Sequence, residues 1–335
     1  MDGDYLQPGN QRSAIVRWLL YSLATSGLCL LMNQMPALTL LLAIAWGVLI
    51  ILAGIFMKPW SLLIMGLING LALFWQTGWA GVVYYAAFWG MAAYVMALLV
   101  SRGLNYYRVR TWGIAAAIVS ISLFLLVMYL SQGSIGINEM ETGLNQMFGE
   151  NLKAYESAGL LDLYAQQGIS KQQLITTFQG VAHGLARHLP AIYYLQGIVA
   201  VFFMLLIASN LSLRRKLERL IRRPYKMEMM PWPLAWVVIT GLSFWLWGYG
   251  QKNSYYYLGS NILTVMVPLA CYYGLAALTF KLGEMQTSPR RWVITILIIV
   301  SVVFLPSAII FLALSGLFDS LLDFRKLRMG REEKK

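Results

Sequence analysis

The chain has 335 residues, 59% of them hydrophobic and only 12% charged, with a mean hydropathy of +0.63. Soluble domains carry roughly 25% charged residues, so this composition excludes a soluble enzyme, a disordered chain and a fibrous protein, and it predicts a polytopic α-helical membrane protein. The net charge of +12 lies in short loops between apolar runs, which ties it to membrane topology rather than to nucleic acid.

Taken in chain order, Arg12 and Arg17 flank the start of an apolar stretch, residues 15–32. It is too long for a signal-peptide core and further membrane segments follow, so it reads as an uncleaved first helix. Residues 36–56, 60–76, 80–100 and 112–130 complete a five-span N-terminal region, 1–131, with polar breaks at Asn33-Gln34, Lys58-Pro59, Thr77-Gly78 and 102–110. An extracytoplasmic insertion, 132–188, comes next. Ile137, Met140, Leu144, Met147, Phe148, Leu152 and Tyr155 recur at helical spacing. Gly168 ends that stretch, and Ser170 with Gln173 forms a capping box that opens a second helix. Its stripe runs through Leu174, Phe178, Val181 and Leu185. The expectation is a helical hairpin lying on the outer membrane face, with Glu139, Glu141, Glu150, Glu156 and Asp162 on a solvated side.

The C-terminal membrane region, 189–324, holds spans at 190–209, 232–250 and 259–280, with a basic loop at 210–230. Its last apolar run, 292–318, is too long for one upright helix and contains Leu305-Pro306-Ser307, where proline breaks the backbone ladder. Two forms are open: a hairpin of two short helices that returns the basic tail, 325–335, to the cytoplasm, or one long tilted ninth helix with the tail outside. The fold class is therefore all-α: a transmembrane bundle of about eight full spans, a C-terminal hairpin or ninth helix, and an outer helical insertion. With the N-terminus cytoplasmic, the inner segments before the tail hold 16 Lys and Arg and the outer segments hold 4, namely Lys153, Lys171, Arg187 and Lys252. That asymmetry fixes the expected orientation.

Chemistry-bearing motifs are scarce. The sequence has no phosphate-binding glycine loop, no His-Glu-x-x-His, no Cys-x-x-Cys and no Gly-x-Ser-x-Gly, so neither enzyme activity nor a cofactor is expected. His183 and His188, five residues apart, do not share a helix face and read as interfacial rather than metal-binding. Cys29 and Cys271 lie in apolar runs as packing residues. The spans carry almost no charge, which argues against a proton-driven pump. Uncharged polar and aromatic groups toward the outer half carry more information. Asn69, Gln76, Tyr84, Tyr85, Gln196 and Asn261 are candidate ligand-binding residues; an interfacial aromatic belt is the alternative. Arg214, Arg215, Lys216, Arg219, Arg222 and Arg223 in the basic loop are candidate contacts for anionic lipids at the inner face or for a protein partner. Asp319, Asp323 and Arg325 are candidate partner contacts too, with a local charge network involving Asp323 and Arg325 as the alternative. Ser22/Ser26, Gly66/Gly70, Ala93/Ala97 and Gly113/Ala117 are small pairs at helix-packing spacing.

The stretches Gly259-Ser-Asn-Ile-Leu, Tyr273-Gly-Leu-Ala276 and Gly316-Leu-Phe-Asp-Ser-Leu-Leu-Asp-Phe-Arg-Lys-Leu327, with Leu189-Pro190 closing the insertion, resemble the YybS-like family of bacterial membrane proteins. That family looks distantly similar to the S components of energy-coupling-factor vitamin transporters and to the MreD cell-shape protein, which have about six spans. The resemblance implies a multi-pass bacterial plasma-membrane protein that binds or transports a small solute beside an ATPase and transmembrane coupling module. The alternative is a non-transporting scaffold for envelope or division proteins.

Overall fold

A computed structural model describes residues 8–214, 220–251 and 253–327. Among the described residues there are helices and no strands. Seven helical stretches are long and apolar enough to cross a membrane, and Trp232–Gly248 is a shorter apolar helix.

The N-terminal half is α1 (Pro8–Gln34), α2 (Thr39–Phe56), α3 (Pro59–Tyr85), a π-helical segment (Ala86–Gly90), α4 (Met91–Ser101) and α5 (Tyr106–Gln132). The breaks have local causes. Pro59 holds Lys58 in an extended conformation (ψ 153°) and starts α3. Gly78 interrupts α3 at φ 66°, ψ −170°, a conformation open in practice only to glycine. The chain folds back there. Asn69 donates to the Tyr94 hydroxyl at 2.8 Å, although an unbroken helix would set residues 25 positions apart about 37 Å from each other. The 43-residue apolar stretch Pro59–Ser101 is therefore two crossings, as the Thr77-Gly78 break predicts. Asn105 caps α5 by accepting from the Arg108 amide at 3.0 Å, and Gly133 at φ 70° ends it.

After the insertion helices α6 (Ile137–Ser157), α7 (Leu160–Gln166) and α8 (Lys171–Arg187) come α9 (Leu189–Arg214), α10 (Trp232–Gly248), α11 (Ser254–Glu284), α12 (Thr287–Val303) and α13 (Leu305–Leu322). The expected hairpin in the insertion is present: α6 packs on α8, Phe148 stacks on Phe178 with centroids 4.9 Å apart, and Glu156 pairs with Lys171 at 2.8 Å. Ser170 and Gln173 form the reciprocal capping box.

The helices sort into two compact units. One holds α1–α5 and most of α9; the other holds α6–α8 and α10–α13. This partition differs from the boundary at residue 189 drawn from hydropathy. Val201, Met204, Leu205 and Ala208 of α9 are buried in the N-terminal core, and Met204 lies where a side chain on Gly47 of α2 would have to go. Hydropathy marks α9 as a span but carries no record of which helices cover it. In this unit the Ala93/Ala97 and Gly113/Ala117 pairs serve internal packing. Ala93, Ala97 and Ala117 are fully buried, and Gly113 makes room for Met96.

In the second unit α11 lies against α10 and α13. Gly274 and Gly316 let α11 and α13 approach so closely that a Cβ on either would strike the partner's backbone. The last apolar run breaks at Phe304 (φ −117°, ψ 52°), so the two-helix form is the observed one. The turn falls at Phe304, directly before Leu305-Pro306. The segment after α13 meets Lys226, Glu228 and Phe280, so it emerges on the same side of this unit as loop 224–230.

Candidate functional site

The first unit encloses a polar cluster in an otherwise apolar interior. At mid-depth Asn69 of α3 is 1% exposed. Its Oδ1 accepts from Ser26 at 2.9 Å and lies 3.2 Å from the Thr25 hydroxyl, while its Nδ2 donates to Tyr94. The amide thus joins α1, α3 and α4. Trp46 of α2 meets Tyr94 edge-on at 6.1 Å. One step toward the return turn, Gln76 donates to the Leu30 carbonyl at 3.1 Å. An aromatic layer covers that end. Tyr84 packs against Tyr85, Phe88, Trp89 and Phe124, and Tyr193 of α9 meets Phe88 at 4.9 Å. Gln196 of α9 lies beside Tyr84.

The π segment shapes this layer. Its extra residue shifts the helical register, so that Ala87, Phe88, Trp89 and Gly90 are all buried. The carbonyl that the irregularity frees at Ala87 accepts from Ser120 of α5 at 2.6 Å.

Four buried side-chain polar atoms lack a hydrogen-bond partner among the described residues: Ser22 Oγ, Trp46 Nε1, Gln76 Oε1 and Trp89 Nε1. All four belong to the first unit. Each such group costs about 1–3 kcal/mol of desolvation, so four in one unit need a physical reason. They offer two indole N–H donors, one amide acceptor and one hydroxyl. The cluster is uncharged: among the described residues the buried ionic side chains are Glu228, Asp319 and Arg325, all in the second unit.

Of the sequence candidates, Asn69, Gln76, Tyr84, Tyr85 and Gln196 fall in this unit. Asn261 does not. It sits on α11 in the second unit, accepting from the Ala191 amide at 3.1 Å and donating to the carbonyls of Arg187 and Tyr257 at 3.0 and 2.8 Å. Its amide ties the α8–α9 corner to α11. The first unit also holds Trp46, Trp89, Tyr94, Ser22 and Thr25, which lie outside the candidate set. The available signal was position: Trp46 and Tyr94 stand mid-span, away from the interfaces where belts form.

The second unit places the remaining candidates. His183 faces Glu141 at 3.1 Å and Tyr257 at 3.4 Å, and His188 bonds Ser260 and the Gly184 carbonyl. Both therefore link the insertion to α11 or to their own helix. Asp319 and Arg325 do not form a contact surface. Their side chains are 3% and 1% exposed and bonded to each other, with Nη2 2.5 Å from Oδ2 and Nε 3.0 Å from Oδ1. The guanidinium also donates to the carbonyls of Lys226 and Glu228 at 2.7 Å each. Arg325 pairs with Asp319 rather than Asp323 because the chain reverses at Asp323 (φ 47°), whose carboxylate accepts from the Leu327 amide. Beside this clasp Tyr225 donates to the Tyr272 carbonyl at 2.7 Å. Burial, followed by the charge of Glu228, pushes its hydroxyl up to about 12 against the opposing pull of Arg325. Arg215, Lys216 and Arg219 lie outside the described residues. Arg214 is the last residue of α9, Arg222 is half-buried and Arg223 exposed.

The chain belongs to the DUF2232 family, described as a predicted membrane protein, whose profile matches residues 23–320. No curated protein and no solved structure is significantly similar to it.

Proposed function

We propose that the protein is a membrane-embedded subunit that binds a small uncharged solute in its first unit, in the manner of a transporter S component. The observation that carries this reading is the set of unpartnered buried groups at Ser22, Trp46, Gln76 and Trp89, all in the unit that holds the Asn69 network. A solute with acceptor atoms for the two indoles and a donor for Gln76 would satisfy three of the four, and the aromatic layer suits a flat ring. The absence of buried charge from this unit among the described residues favours a neutral heterocycle over an ion or an acid. The span number agrees as well. The first unit contains six crossings, counting α3 as two around Gly78, with α4 completing the second, and S components have about six. The remaining helices are an addition to that unit rather than an argument against the comparison. On this reading the protein lies in a bacterial plasma membrane with its N-terminus inside, and it needs an ATPase-driven partner to move the solute.

The test is thermal stabilisation of the purified full-length protein by a panel of vitamins, nucleobases and nucleosides. A true ligand at a hundredfold excess over Kd adds about 2.7 kcal/mol. The expected result is a rise in Tm with one chemical class, abolished in Trp46→Phe and Trp89→Phe, which lack the N–H but keep an aromatic ring. A flat response across the panel, or a shift that survives both substitutions, overturns the reading. The scaffold alternative rests on the exposed apolar residues of the insertion, Met147, Leu163, Val181 and Leu185, and predicts that flat response together with stable envelope-protein partners.

A further inference from the structure

The first unit also carries a groove of about 550 Å³ on an exposed apolar surface, between the return helix and α5. Met91 and Val95 form one wall, Trp112, Ala116 and Val119 the other, and Ser120 lies in the floor. The Ser120 hydroxyl is already committed to the Ala87 carbonyl, so the floor presents hydrocarbon. The α5 lining runs from Trp112 to Val127, about 22 Å at 1.5 Å per residue.

Both walls end in a cation at the same end of the groove. Arg102 lies seven residues beyond Val95, two turns along the same face of its helix, and Arg108 lies one turn before Trp112 on α5. The two helices are joined by a short turn through Gly103 (φ 78°) and the Asn105 cap, which places both arginines at the turn end of the helix pair. Both are exposed. Arg110 is directed elsewhere, its guanidinium 5.0 Å from the Tyr107 ring.

We propose that this groove is a binding site for one anionic glycerophospholipid, with an acyl chain along the α4–α5 walls and the phosphodiester between Arg102 and Arg108. Shape and charge select this occupant. The groove is apolar along its length and each wall ends in an arginine, which matches an acyl chain below an anionic headgroup. A zwitterionic lipid fills the groove equally well but gains less from two guanidinium groups, which bind phosphate oxygens in a planar fork.

The experiment is native mass spectrometry of the delipidated full-length protein titrated with phosphatidylglycerol or with phosphatidylcholine of the same chains. The expected result is one retained phosphatidylglycerol per chain, with phosphatidylcholine about 25-fold weaker. Replacing both arginines (Arg102→Gln with Arg108→Gln) removes the preference, at about fivefold for each cation lost. Ala116→Phe, which fills the groove, weakens both lipids. Because the arginines are exposed, the double variant is expected to keep the wild-type Tm in phosphatidylcholine, which separates lost binding from lost folding. Equal binding of the two lipids, a preference that survives the arginine changes, unchanged binding in Ala116→Phe, or dimers that exclude lipid would each overturn the proposal.

Discussion

Arg325 illustrates how much one side chain can organise. Its guanidinium is fixed by the Asp319 carboxylate and two loop carbonyls, and it lies 5.8 Å from the Phe280 ring. The pair is a weak source of net stability, because the desolvation of both ions offsets their attraction. Losing one partner is different, since it leaves a buried charge with nothing to balance it. Arg325→Met is therefore expected to destabilise the protein by about 3–5 kcal/mol, and the double change Asp319→Leu with Arg325→Met to recover most of that loss. Thermal melts in detergent decide it; a single variant that melts like the wild type would show that the clasp is dispensable. Little of this arrangement is legible in the sequence. The acid and the base are visible, but the pairing depends on a left-handed residue at Asp323, and an aspartate does not announce that conformation as a glycine would. Asn69 and Gln76 stand at the other extreme. An amide in an apolar run has to be satisfied or used, so both were readable as candidates. Trp46 and Tyr94 offered only their mid-span position, because an aromatic residue raises little alarm in a hydrophobic span until its polar atom is found buried.

Among elements, the sequence announces those with local punctuation. The insertion hairpin has glycine stops and a capping box, and it forms where expected. The α12–α13 break follows from a proline, and the return after α3 from a single glycine. Gly78 combines φ 66° with an extended ψ, a region that costs a side-chain-bearing residue about 1–3 kcal/mol. No neighbouring atom lies where its Cβ would go, so Gly78→Ala isolates backbone strain from crowding. The expected outcome is a loss of stability in that range with the helical circular dichroism unchanged. A variant as stable as the wild type would mean that the return does not depend on the glycine conformation. The π segment was hidden from sequence reading because it is settled by tertiary contacts. Its freed carbonyl finds Ser120 on another helix, and nothing within Ala86–Gly90 encodes that partner.

At the scale of the molecule, charge and hydropathy mark crossings but not groupings, so the packing of α9 among the helices of the first unit has no counterpart in the sequence reading. The side of the tail can be argued further. The contacts of Arg325 with Lys226 and Glu228 put the start of the C-terminal segment beside residues 226–228, so Arg325 joins the positive side instead of opposing it. That agreement between packing and charge predicts a labelling pattern with an impermeant maleimide in intact cells, using single cysteines in a background lacking Cys29 and Cys271. Gln172→Cys in the insertion should react, while Lys226→Cys and Phe324→Cys should stay protected until the membrane is opened. All three are exposed positions, so protection reports the membrane and not burial. A labelled Phe324→Cys with a protected Lys226→Cys would place the tail across the bilayer from the loop and refute the two-helix return. A fully inverted pattern would leave the fold intact and reverse the orientation, and with it the face from which a solute enters the first unit.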